Sequence, residues 1–269
     1  MAGHKTMKSP KPGRLPDFSP TKLGTFSDCP TKYKYIYVDR IGRFYQKPHA
    51  YFSFGSTLHQ VLQSYHGPDG APSLDFLLAK LNDRWISSGY ETTSEEAEYR
   101  QRAVEILTMY HERMKERSDD IVTDSVERNL SLDMGRFKLT GRIDRIDRYS
   151  DGSFEVVDYK SGRDDVTRED VLRSLAMRCY MLLVSRTMLA TSVVGTIIAL
   201  RTCRSASVVL TPKQLVETVE EVTKLGDTIL ETDITAVEPV RIEICESCEF
   251  LSRCQRFWGS RGRRQPGTT

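Results

Sequence analysis

The chain has 269 residues, enough for one large domain or two small ones, and at that length roughly 70–75% of the unfolded surface is buried. Hydrophobic residues make up 39% and charged residues 28%, a balance that excludes wholesale disorder. Lys and Arg number 39 against 37 Asp and Glu, a formal net charge of +2, which excludes a uniformly basic nucleic-acid coat but not a local basic groove.

Residues 1–17 read as a flexible, basic tail with Lys5, Lys8, Lys11 and Arg14, and they lack the apolar core of a secretory signal. The longest apolar runs, such as 181–184, are too short to span a bilayer. The expectation is a cytoplasmic, reducing setting with no membrane, in which six cysteines need a reason other than disulfides. Ser19-Pro20 starts a helix, with Ser as N-cap and Pro at the first helical position. Pro30 breaks the following stretch, so two short helices meet there. A further helix fits 52–65, with Phe54, Leu58, Val61, Leu62 and Tyr65 on one stripe. Helices follow at about 73–88 and 94–117.

The period then changes. Val122, Val126, Leu130 and Leu132 share alternating positions, as do Phe137, Leu139 and Ile143, and Phe154, Val156 and Val157 begin a third strand. Turn residues 133–135 and 150–152 separate these strands, giving a three-stranded meander. A helix at 168–189, a strand at 192–202 and a helix from Pro212 to about 232 complete the pattern. The order is an α/β one, β-β-β-α-β with helical additions at both ends. Residues 18–259 read as one domain and 260–269 as a flexible basic tail.

Two short stretches carry the chemistry. Gly141-Arg-Ile-Asp144-Arg-Ile-Asp147 precedes Val-Val-Asp158-Tyr159-Lys160-Ser-Gly162. Charges among Val and Ile are costly unless paired or bound to metal. A two-residue loop at 151–152 sets Asp144 opposite Tyr159, whereas a three-residue loop with Gly152 left-handed sets it opposite Asp158. The three-residue form is expected because it joins the two acids; the other would turn attention to Asp147. Two facing carboxylates beside an ammonium suit Mg²⁺. The same residues also read as a surface salt-bridge ladder, with Arg142, Arg145 and Arg148 alternating with Asp144 and Asp147.

These stretches resemble the PD-(D/E)XK nuclease superfamily, in its RecB-like branch. Phe54-Gly55-Ser-Thr-Leu58-His59 is similar to that branch's upstream helix motif. The resemblance implies a restriction-endonuclease-like core, with His59, Asp144, Asp158 and the Tyr159 main-chain carbonyl as ligands to Mg²⁺ or Mn²⁺. It makes Lys160, Asp144 and Asp158 catalytic. Tyr180 matches a Gln-x-x-x-Tyr element associated with DNA contacts, although Ala176 stands where the Gln would be. Glu127 matches a Glu often seen on the first strand, where a structural role fits it. His66 lies outside any motif.

Cys245-x2-Cys248-x5-Cys254 with Cys29 far upstream offers four thiolates, and spacing alone leaves zinc and iron–sulfur open. AddB-type nucleases and CRISPR-associated RecB-like exonucleases share this pattern, so the resemblance implies a 4Fe-4S cluster on Cys29, Cys245, Cys248 and Cys254. Cys179 and Cys203 read as buried core thiols. The function implied is a metal-dependent deoxyribonuclease, an exonuclease acting on single-stranded DNA or DNA ends in recombination, repair or CRISPR and phage DNA processing. A helicase, recombination or CRISPR-adaptation partner fits the same family. The alternative is a non-catalytic, cluster-stapled DNA-binding subunit of a helicase–nuclease complex. Tyr33, Tyr35, Tyr37, Phe44 and Tyr45 are divided between base stacking and core packing.

Overall fold

A computed structural model of the chain describes residues 15–45, 48–70 and 73–261, so most of the two basic tails lies outside the described residues. In chain order the first half holds β1 (Asp17–Phe18), α1 (Pro20–Asp28), α2 (Pro30–Tyr33), α3 (Ala50–His66), α4 (Leu74–Arg84) and α5 (Thr93–Lys115). The second half holds β2 (Ile121–Asp133), β3 (Lys138–Tyr149), β4 (Phe154–Lys160), α6 (Arg168–Arg173), α7 (Leu175–Thr187), β5 (Val193–Ala199), β6 (Arg204–Val209), α8 (Pro212–Glu231) and α9 (Leu251–Arg261). No helix among the described residues is long and apolar enough to cross a membrane. Where the sequence pattern reads 18–259 as one domain, the contacts group the chain into two compact units. One takes Leu15–Pro20 and Pro48–Thr223; the other takes the described parts of Thr21–Lys47 and Lys224–Thr269.

The larger unit is built on a six-stranded mixed sheet with strand order β1-β3-β4-β5-β6, β2 pairing with β3 off this path. Strands β3 and β4 are antiparallel, and the crossover through α6 and α7 returns β5 parallel to β4. Both faces are covered. Val157, Tyr159, Ile198 and Leu200 pack under α3, α4 and α5. Ile143, Ile146, Val156, Ile197 and Ala199 pack with α6 and α7. Burial on both faces explains why β4 and β5 read as nearly continuous apolar runs. In the smaller unit, Tyr35 and Tyr45 pack on Phe250, and Tyr33 is buried against Phe26. Phe44 stays 69% exposed.

Several elements depart from the sequence pattern. The helix expected at 168–189 is two, because Ser174 is extended and its hydroxyl caps α7 by accepting from Met177 N–H. The strand expected to 202 stops at Ala199, and β6 follows it in antiparallel, with Ala206 and Val208 inward. Cys203, at φ 54°, sits in the reversal between them. An extra residue in β2 between Thr123 and Ser125 shifts its register against β3, which leaves Val122 exposed rather than in the core stripe. Strand β1 pairs only Asp17 and Phe18 with β3, too short a segment to show a period.

Beneath the sheet lies a buried polar network. Arg145 donates to Tyr110 Oη (2.5 Å), Tyr159 Oη (2.9 Å) and His66 Nε2 (2.9 Å). It also pairs with Asp147 (3.0 Å), which Arg117 (2.9 Å) and the Thr123 hydroxyl (3.0 Å) hold from the other side. His66 is thus a packed member of a buried network. Burial, then the charges of Arg145 and Arg117, push its pKa well below the usual 6.5. The unfolded imidazole takes its proton first, so this residue costs stability as pH falls below about 6.5, levelling off once pH passes the folded value. Urea unfolding from about pH 7 to about pH 5 is expected to show a shallower loss in His66→Gln than in wild type. An equal loss in both would place the acid sensitivity elsewhere.

Candidate active site

The turn between β3 and β4 sets the site. Gly152 is left-handed at φ 82°, and Tyr149 N–H donates to Ser153 O at 2.9 Å, so the loop is the three-residue form. Pairing runs from Arg148↔Phe154 to Arg145↔Val157. The next step in that register sets Asp144 against Asp158, as the three-residue loop predicts. The ladder stops there, while β4 continues beside β5 to Lys160↔Ala199. Tyr159 N–H donates instead to Asp144 Oδ2 at 2.9 Å.

On the β2 side, Glu127 falls opposite Asp144, between the pairs Val126↔Arg145 and Arg128↔Ile143. Its φ of 49° is left-handed, an uncommon conformation for a non-glycine residue. Strand β3 changes layers at the same point. Gly141 lies against Leu183 and Tyr180 of α7 and Ile143 joins the α7 cluster, whereas Arg145 reaches Tyr110 of α5. The local irregularity aims Asp144 and Glu127 at one spot.

Helix α3 brings the third group. His59 Nδ1 lies 3.3 Å from Asp144 Oδ1. A Cβ on Gly55 would stand 2.7 Å from Ser161 Oγ, so the helix meets the loop after Lys160 closely there and a side chain at 55 would make that hydroxyl turn away. Gly141 answers the same need, since a Cβ there would sit 2.7 Å from Leu183 Cδ1. Among the described residues, His59, Glu127 and Asp144 are the one set of three whose ligand atoms all lie within 4.8 Å of one another. They line an open cavity of about 430 Å³ with Ser56, Gln60 and Arg142.

Asp158 is buried and pairs with Lys160 Nζ at 2.6 Å. Burial and the nearby Asp144 raise its pKa, against the pull of Lys160. Burial and Asp144 also raise Glu127, against Arg142, with which it forms an ion pair. For His59, burial lowers the pKa, but the hydrogen bond and charge of Asp144 outweigh it and the net shift is upward. Asp158 and Glu127 both hold protons more readily than free carboxylates do, chiefly because they are buried and secondarily because Asp144 is close. Tyr180 is half-buried against Gly141; burial and the acids at 158 and 144 push its hydroxyl pKa up.

The expected residues therefore divide. His59 from the middle of α3, Asp144 from the middle of β3 and Asp158 and Lys160 from the end of β4 gather where the β3–β4 ladder stops, and Tyr159 ties Asp144 down through its N–H. Asp147 turns away into the Arg145 network. Glu127, whose role the sequence leaves open, is part of the cluster. Its left-handed backbone is invisible in a sequence of otherwise ordinary strand residues.

In the smaller unit, Cys29, Cys245, Cys248 and Cys254 line one cavity with apolar walls that include Tyr35, Val240, Ile244 and Phe250. Cys29 Sγ accepts from Lys32 N–H at 3.4 Å, and Cys245 Sγ from Ile242 N–H at 3.4 Å. Burial raises the Cys254 thiol pKa, and the thiols at 248, 29 and 245 add to the rise. No three of these sulfurs lie within 4.8 Å of one another. Cys179 and Cys203 are buried.

No curated protein matches the chain. Among solved structures, SSO0001 is 16% identical over 92% of this chain and 89% of its own, with a TM-score of 0.42. A candidate exonuclease from Eubacterium rectale is 14% identical over 82% of this chain and 94% of its own, with a TM-score of 0.36. Neither distant likeness bears on function. The family model for the PD-(D/E)XK nuclease superfamily matches residues 17–255, a span that includes the acidic cluster, Lys160 and the four cysteines. The chain, with its restriction-endonuclease-like mixed sheet, belongs to the PD-(D/E)XK nuclease superfamily.

Proposed function

We propose that the chain is a divalent-metal-dependent deoxyribonuclease, an exonuclease acting on single-stranded DNA or DNA ends. The observation that carries this reading is the meeting of His59, Glu127 and Asp144 beside the Asp158–Lys160 pair. One imidazole nitrogen and several carboxylate oxygens form a donor set suited to Mg²⁺ or Mn²⁺. His59, Asp144, Asp158 and the Tyr159 carbonyl would hold the ion, with Glu127 alongside. When bound, the cation supplies positive charge to the phosphate and to its attacking and leaving oxygens. Lys160 adds an ammonium at the same rim, held by Asp158 so that it meets a phosphate oxygen without reorganising. Tyr159 and His59 fix the two oxygens of Asp144.

Metal binding is expected to relieve the crowding of these acids. Mg²⁺ or Mn²⁺ at about 100 times its dissociation constant stabilises by about 2.7 kcal/mol, a rise readable by thermal melting. Asp144→Asn is expected to show no such rise. A wild type that melts identically with and without metal would count against the site.

Hydrolysis of a labelled single-stranded DNA with Mg²⁺ or Mn²⁺ tests the activity itself. Asp158→Ala and Lys160→Ala are each expected to slow product formation by about 100-fold or more. If wild type and Asp158→Ala degrade the strand equally, the enzyme reading fails and the non-catalytic alternative takes its place.

We also infer that Cys29, Cys245, Cys248 and Cys254 hold a 4Fe-4S cluster. Four thiols on one apolar cavity, two of them accepting backbone N–H bonds, support it. Such a cluster closes a loop of more than 200 residues and so restricts the unfolded chain. Protein purified without oxygen is expected to be brown, and Cys29→Ala or Cys248→Ala to be colourless and to melt lower. A colourless, zinc-loaded wild type of full stability would reject the cluster.

A further inference from the structure

Helix α3 does more than deliver His59. Residues 52, 56, 59 and 63 lie within about 60° of one another around its axis. Phe52 and Ser56 are exposed and His59 and Gln63 half-buried, while Phe54, Leu58, Val61 and Leu62 face the core. About 10 Å before His59, Phe52 on this stripe and Tyr51 beside it stand 61% and 55% exposed. Their ring centroids are 4.3 Å apart, and the His49 ring stacks on Tyr51 at 5.2 Å and 14°. On the other flank of His59, a groove of about 470 Å³ runs between α3 and α4 and shares Gln60 with the His59 cavity. Gln63, Ser64, Lys80 and Arg84 line it, with one acid, Asp69. Lys80 is only loosely paired, 3.6 Å from Asp83, and Arg84 is exposed.

The chemistry of this stripe selects its occupant. Two adjoining aromatic rings left in water are costly unless something covers them. An apolar protein or lipid surface would meet Ser56, Gln60, Gln63 and Ser64 immediately beside the rings and find them polar. Unpaired nucleobases stack on exposed aromatic rings while their phosphates take cations and amides. Paired bases keep their faces within the helix stack and cannot use such a platform.

We propose that the exposed face of α3 is the track for a single DNA strand. Tyr51 and Phe52 stack bases on one side of the phosphate at His59 and Asp144, and Lys80 and Arg84 take backbone phosphates on the other. The proposal rests on the nuclease reading and names the subsite that would select unpaired substrate.

The test uses the full chain carrying Asp158→Ala, which leaves substrate intact, in EDTA, with a fluorescent oligothymidylate followed by anisotropy across a salt titration. Tyr51→Ala with Phe52→Ala is expected to weaken binding about tenfold or more, with the salt slope unchanged. Phe52→Trp keeps affinity, and Phe52→Leu, apolar but ringless, loses it, which separates stacking from a folding defect. Lys80→Gln with Arg84→Gln is expected to flatten the slope of log K against log salt by about 1.4. Unchanged binding in the double alanine variant overturns the track, as does an equal loss on a closed DNA hairpin without unpaired ends. If wild type cleaves DNA while those substitutions leave binding untouched, the track alone falls. If the strand binds through Tyr51 and Phe52 but is never cleaved, the nuclease reading alone falls.

Discussion

Strands β3 and β4 part after Arg145 and Val157, and one hydrogen bond, from Tyr159 N–H to Asp144, takes over where the ladder ends. A buried backbone donor must find an acceptor. Here the acceptor is a side chain, so satisfying the sheet and orienting the acid are the same event. The second oxygen of Asp144 faces His59, which leaves the carboxylate little freedom to turn. Without the separation of the strands, Tyr159 N–H would pair with backbone and Asp144 would have no reason to point inward.

The alternating charges of 142–148 are therefore not a ladder along a surface. Strand β3 switches layers at Asp144, and its charges go to different places. Asp144 joins His59 and Glu127 in the cavity. Arg145 and Asp147 go under α5, where hydroxyls from Tyr110 and Tyr159 and a neutral His66 surround the guanidinium. Tyr159 belongs to both sides: its N–H serves the acid and its hydroxyl serves Arg145. Tyr159 is thus one physical link between the buried network and the site, beside the chain itself from Arg145 to Asp144.

What the sequence makes legible follows from local chemistry. Ser-Asp-Gly announces a tight turn but admits two loop lengths, and the three-residue form, expected because it joins the two acids, is the one that sets the register of Asp144 toward Asp158. Gly55 and Gly141 stand in readable motifs, although their reason, the approach of Ser161 and of Leu183, appears only in three dimensions. Ser174 could be seen as a cap but hides inside an unbroken apolar pattern. The period of β6 is legible in Ala206 and Val208, yet the preceding apolar run draws the strand boundary too far. His66 and Arg145 lie beyond pattern reading, because their partners come from three different elements. The same holds for the cysteines: their spacing is plain, while the wall they share depends on packing between the two ends of the chain.

The backbone of Glu127 has an evolutionary consequence. A left-handed conformation at a residue with a side chain costs of order 1–3 kcal/mol, which glycine would not incur. Selection for robustness alone would favour glycine at this position and remove a carboxylate from the cavity. The glutamate thus marks a point where backbone stability and the acid content of the cavity pull in opposite directions.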